Sequence, residues 1–135
     1  MSVLKLGMVG GGQGAFIGGV HRMAARLDGC FDLVAGAFAS NPDRAHASAA
    51  ELGISEDRSY GNYHEMAKAE AARPDGIDAV SIVTPNHLHG PIAEAFLAHD
   101  ISVICDKPMT ATLAQAENLA AAAASSKGHF FLTHN

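Results

Sequence analysis

Six glycines fall within the fifteen residues 8–22, MVGGGQGAFIGGVHR, directly after the apolar run Val3–Val9. Backbone stripped of side chains suits a ligand that must lie against the chain itself. Placed between a strand and a helix, such a loop offers free N–H groups and a partial positive charge, which suits a pyrophosphate. Gly10 is expected to make the tight turn and Gly12 to admit the phosphates. The spacing reads as G-x-G-x-x-A through Ala15, or as a longer loop whose third glycine is Gly18. The longer loop is favoured, because a helix starting near Ile17 sets Val20, Met23, Ala24 and Leu27 in register. Gly10, Gly12, Gln13, Gly14, Ala15, Phe16 and Ile17 are therefore the candidate dinucleotide-binding residues of this loop.

The ribose end offers a second test. Where a second strand ends, an acid ordinarily holds the 2′-hydroxyl of NAD, but the chain has Ala39, Ser40 and Asn41 there. Asp43 follows only inside the next helix. Ser40, Asn41 and Arg44 are the candidates on this side, and Ser40 with Arg44 suits a 2′-phosphate. Arg44 as a solvated first-turn residue is the alternative. The cofactor is thus NAD or NADP, with the missing acid favouring NADP.

A third group of residues, Thr84, Pro85, Asn86, His89, Asp106, Lys107 and Pro108, follows two later apolar runs. A lysine at the carboxyl end of a strand, desolvated by a bound ring, can assist proton movement. A surface lysine paired with Asp106 is the competing reading. The eight histidines show no zinc-finger or H-E-x-x-H spacing, and no metal is expected.

Strand and helix signals alternate along the whole chain. Apolar runs predict strands at 3–9, 31–38, 77–84, 101–105 and 129–135, with a short one near 58–60. Gly29 stops the first helix. Asn41-Pro42 opens the second, which ends at Gly53. Asn62 with Glu65, and Thr112 with Gln115, resemble capping boxes for two more helices. Arg73-Pro74 ends the first of these, and Gly128 caps the second, alanine-rich one. Pro91 sits in the first turn of a helix over 91–100, with Ile92, Ala95, Phe96 and His99 on one side. About six strands with five helices and no hairpin signal predict one domain of α/β class. Its expected architecture is a doubly wound parallel (Rossmann) sheet with helices on both faces.

At 135 residues the chain can bury one real core. Its net charge of −5 argues against nucleic acid as a partner, and no apolar run is long enough to span a membrane. No signal peptide is read at the N-terminus, so a cytoplasmic location is expected. Cys30 and Cys105 fall at opposite ends of predicted strands, too far apart for a disulfide.

Two stretches, AVSIVTPNHLH (79–89) and ICDKPMT (104–110), resemble the glucose–fructose oxidoreductase/inositol dehydrogenase/rhizopine-catabolism (Gfo/Idh/MocA) family. The family's N-terminal domains carry T-P-N-x-x-H after one strand and E-K-P after the next, and the glycine loop ending in Val20-His21 is similar too. The resemblance implies an NAD(P)-dependent oxidoreductase acting on a sugar, polyol or related cyclic alcohol. It implies that Thr84, Pro85 and Asn86 line the nicotinamide half, with His89 just behind. It places the Lys107 ammonium beside the nicotinamide and the substrate hydroxyl, followed by a proline, Pro108, that is often cis. Here the acid before the lysine is Asp106 rather than Glu. It further implies a second domain, absent from this chain, that supplies much of the substrate pocket, an acid/base histidine and an oligomer interface. A non-catalytic NAD(P)-sensing module is the alternative.

Overall fold

Val, Ile, Leu and Ala dominate the strand segments, and they are buried on both faces, as a sheet covered by helices requires. In the computed structural model, which describes residues 2–135, β1 spans Leu4–Gly10, β2 Phe31–Ala37, β3 Ala79–Val83, β4 Ser102–Cys105 and β5 Phe130–Leu132. All pairs are parallel, in the order β2-β1-β3-β4-β5. Between them run α1 (Phe16–Arg26), α2 (Pro42–Glu51), α3 (Tyr63–Ala72), α4 (His89–Leu97) and α5 (Leu113–Ser125). The order reverses between β1 and β3: the chain leaves β1 on one side for β2 and returns on the other for β3. A crevice for ligands opens at the carboxyl ends of strands at such a point.

Alternation along the strands divides the core. Val9, Ala37, Val80, Ile82, Val103 and Cys105 pack with Met66 of α3, Ile92 and Phe96 of α4 and Leu119 of α5. Met8, Phe38 and Val83 pack with Ala49 of α2, joined by Ile17 of α1.

Three expectations change. The short strand near 58–60 reduces to one parallel bridge between Gly36 and Ser59, with the Tyr60 N–H donating to the Gly36 carbonyl at 2.8 Å. Arg58 ends a 3-10 turn (Glu56–Arg58) with its side chain drawn inward to Glu70, and Asn62 already caps α3. Too few residues remain between them to extend a strand. In α4 the buried rows are Ile92/Phe96 and Ala93/Leu97, while His99 lies beyond the helix and is exposed. In α1 the apolar stripe turns outward: Met23 is 64% and Leu27 82% exposed. Gly18 seats that helix instead, because a Cβ there would lie 2.5 Å from the Gly11 Cα.

Candidate functional site

The glycine loop leaves β1 through Gly10 and Gly11, both at positive φ (81° and 72°), a region that L side chains avoid. The turn is then anchored from β2 and α2. The Gly12 N–H donates to the Phe38 carbonyl at 3.1 Å, and the Gln13 N–H to the Ser48 hydroxyl at 3.1 Å. A Cβ on Gly12 would meet the Phe38 carbonyl and Ser48 Oγ at 2.8 Å each. Gly12 is therefore small because β2 and α2 approach it, a demand of the fold itself. The Gly18–Gly11 contact identifies Gly18 as the third, packing glycine, and α1 starts at Phe16, close to the longer-loop reading.

The helix termini differ in a way that bears on ligands. Asn41, Asn62 and Thr112 cap α2, α3 and α5, each side-chain oxygen accepting an N–H from the first turn. At α1 the N-cap is Ala15, with no side-chain cap and no acidic residue in the first turn. The donors of its first turn are left for something outside the chain. The fit to a dinucleotide rests on this uncapped start beside a turn built of glycine.

A cleft of about 640 Å³ opens at this end of the sheet. Of the candidate residues, Gly10, Gly12, Gln13, Ala15, Ser40, Arg44, Thr84 and Pro85 line it. Its far wall is Gly61, Asn62 and Tyr63, which sequence reasoning read only as a helix start. The signal available was position: this segment follows the vestigial strand at Ser59 and emerges at the same end of the sheet.

Other candidates are turned from the cleft or lie outside it, and of Gln13 the side-chain amide does not face it. The Gln13 amide turns toward α2, donating to Glu51 at 2.6 Å. Phe16 is 84% exposed, and Ile17 packs into the smaller core cluster. Asn41 is committed to its cap, and Gly14 and Asn86 are exposed. Asp106 is buried, and its Oδ1 accepts from Thr133 Oγ1 (3.2 Å) and Asn135 Nδ2 (3.1 Å) and faces His21 Nε2 at 3.2 Å. This carboxylate is turned away from the cleft and is engaged elsewhere, so Lys107 is not its ion-pair partner. The Lys107 side chain is exposed at the end of β4, and the Lys107–Pro108 peptide is cis. His89 is 1% exposed, and its ring lies between the carbonyls of Pro108 (2.6 Å from Nδ1) and Thr84 (2.9 Å from Nε2).

Burial pushes the Cys105 thiol up to about 12, with the Asp106 charge adding to it. Cys30 and Cys105 are both free thiols. Among the described residues no cluster of three His, Cys, Asp or Glu is arranged to hold a metal, and no helix is long and apolar enough to cross a membrane.

The family model for an oxidoreductase family with an NAD-binding Rossmann fold matches residues 4–134. An oxidoreductase structure from Sinorhizobium meliloti superposes with a TM-score of 0.95 at 54% identity, over 99% of this chain and 37% of that one. An inositol dehydrogenase homolog from Azotobacter vinelandii, complexed with NADH and myo-inositol, gives 0.93 at 41%, over 98% and 35%. An uncharacterized oxidoreductase of Bacillus subtilis, YfiI, is 41% identical over 121 residues, 89% of this chain and 31% of that protein. The chain thus spans about a third of the length of these relatives.

Proposed function

Because the chain belongs to the oxidoreductase family with an NAD-binding Rossmann fold, we propose that it carries the nicotinamide dinucleotide for an oxidoreductase acting on a sugar, polyol or related cyclic alcohol. The observation that carries the binding site is the uncapped N-terminus of α1 beside the Gly10–Gly12 turn. The first-turn N–H groups of α1 hold the pyrophosphate, and Thr84 and Pro85 flank the nicotinamide half. A bound nicotinamide supplies the hydride donor or acceptor. Lys107 polarises the oxygen on the substrate carbon that exchanges the hydride, and it steadies the proton that leaves or joins that oxygen. The substrate class is supported by the myo-inositol held in the Azotobacter relative. The relatives are about three times as long, and the remaining substrate contacts and any oligomer interface belong to the longer protein in this reading.

The adenosine ribose meets Ser40 and Arg44, which line the cleft where no acid stands, and this favours NADP. A charge-assisted hydrogen bond contributes about 1.5–3 kcal/mol, so Arg44→Ala lowers NADPH affinity by about 10- to 100-fold and leaves NADH nearly unchanged. Parallel titration with both cofactors by nicotinamide fluorescence tests this. Equal or tighter NADH binding by the unaltered chain overturns the NADP assignment. Failure of both to bind the folded chain at millimolar concentration overturns the site.

A further inference from the structure

We propose that His21 and His89 are positioning residues that together fix the backbone on either side of Lys107. This rests on the role given to Lys107 above. The residue before the lysine is held from the α1 side. His21 Nε2 lies 3.2 Å from Asp106 Oδ1, and His21 Nδ1 lies 2.7 Å from the Ser81 hydroxyl of β3. With the proton on Nε2, the ring donates to the carboxylate while Ser81 donates to Nδ1, so one chain of bonds joins β3, α1 and the end of β4. Thr133 and Asn135 complete the set around Asp106, and the Asp106 N–H donates to the Ile82 carbonyl at 3.0 Å. The residue after the lysine is held from the α4 side, by the His89 ring against the Pro108 carbonyl.

The placement of the two rings gives the arrangement its consequence. His21 lies on α1, whose N-terminus is the phosphate site, and the neighbouring Arg22 donates to the Gly11 carbonyl at 2.8 Å. His89 is the first residue of α4, and its other nitrogen lies 2.9 Å from the carbonyl of Thr84, which lines the cleft; with a proton on each nitrogen the ring donates to both carbonyls. Each half of the cofactor cleft is therefore tied through one histidine to one neighbour of Lys107. The flanking residues are fixed while the lysine side chain itself stays exposed and free to meet a ligand. Ser81 is 2% exposed in mid-strand, so the Ser81–His21–Asp106 chain serves no nucleophile.

Backbone ¹⁵N relaxation of Lys107 in the 135-residue chain is the direct test, read beside denaturant stability. The unaltered chain is expected to show a rigid Lys107 amide, with an order parameter near 0.85, and His21→Phe to lower it below about 0.6. His21→Gln, which keeps one donor toward Asp106, restores most of the rigidity. His89→Phe acts in the same sense, and His89→Gln serves if that variant does not fold. Folded variants that lose stability but keep a rigid Lys107 amide overturn the proposal, because a merely structural role predicts that result. Adding NADPH separates this from the role of Lys107 toward cofactor and substrate. If NADPH moves no Lys107 resonance in the unaltered chain, the role of Lys107 fails, while the relaxation data without cofactor still decide whether the histidines hold it.

Discussion

Glu70 is the most exacting place to test how the far wall of the cleft is held. Its carboxylate, 1% exposed, accepts from Arg58 Nε at 3.0 Å, from Arg58 Nη2, from the Tyr60 hydroxyl at 2.9 Å and from the Ile77 N–H at 3.2 Å. Arg58 is itself 7% exposed. Removing one partner of a buried, hydrogen-bonded ion pair costs about 3–5 kcal/mol, because the other charge stays buried without compensation. Glu70→Ala should therefore lower stability by that amount and the melting temperature by about 10–20 °C. Replacing both partners by apolar side chains of similar volume, Arg58→Met with Glu70→Leu, removes the stranded charge. It leaves the Tyr60 hydroxyl, the Ile77 N–H and the Asp75 carbonyl, which accepts from Arg58 Nη2 at 3.1 Å, to be satisfied, but no buried charge, so the double variant should be more stable than Glu70→Ala alone. The coupling between the two sites should reach about 2 kcal/mol or more in urea unfolding. Additivity within about 0.5 kcal/mol would refute the reasoning. Tyr60 gives an independent reading of the same contact. Its phenol is pushed up to about 12, first by burial and then by the hydrogen bond to Glu70. A raised folded-state value favours the neutral phenol, so its contribution is complete below pH 10 and is lost as pH rises from about 10 to about 12. In Glu70→Gln the Tyr60 absorbance titration should move down, with Tyr60→Phe assigning the signal.

Gly18→Ala should destabilise the chain by about 1–3 kcal/mol and weaken NADPH binding, because its Cβ meets Gly11 backbone atoms that no rotamer change can relieve. Gly19→Ala, with only the Arg22 guanidinium 3.8 Å away, should be neutral or stabilise by up to about 1 kcal/mol; a reversal of that order in paired melts removes Gly18 as the packing glycine. The thiols should separate by reactivity at pH 8. Cys30, slowed by the Asp28 charge, reacts in the native state, and buried Cys105 reacts only on unfolding. Equal rates with a disulfide reagent would contradict the burial of β4.

The alternation of strand and helix was legible because each apolar run ends at a glycine, a proline or a capping residue with its own physical reason to stop the element. Asn41, Asn62 and Thr112 cap the helices they were expected to cap. What periodicity could not supply was which stripe faces inward. The spacing of Val20, Met23 and Leu27 fixes a helix, yet that stripe is exposed, because a glycine contact sets how α1 approaches the loop. The candidate site was legible as a set of loops at one end of the sheet, and less so as contacts. Asp106 and His89 stand in the right motifs, but their polar atoms are spent inside the protein on partners 5–85 residues away. A sequence gives no sign of which of two adjacent residues, Asp106 or Lys107, turns inward.

That partition is what makes the location of the site a physical inference. Among the described residues no buried side-chain nitrogen or oxygen lacks a partner, so the buried side chains are satisfied without a ligand. Spare donors then mark where a ligand is needed. At the carboxyl end of the sheet they include the first-turn N–H groups of α1, with no side-chain cap, and the exposed Lys107 ammonium; α4 also lacks a side-chain cap, but it continues the 3-10 turn Asn86–Leu88. One kind suits phosphate oxygens and the other an oxygen on which negative charge develops. Both follow strands near the point where the order reverses, β1 and β4, with β3 between them. An ordinary cap at Ala15 tests the argument: Ala15→Asp should stabilise α1 by about 0.5–2 kcal/mol while lowering NADPH affinity at least tenfold, since its carboxylate would compete for the same donors. A stabilised variant that still binds NADPH normally would show that the pyrophosphate does not rest on α1.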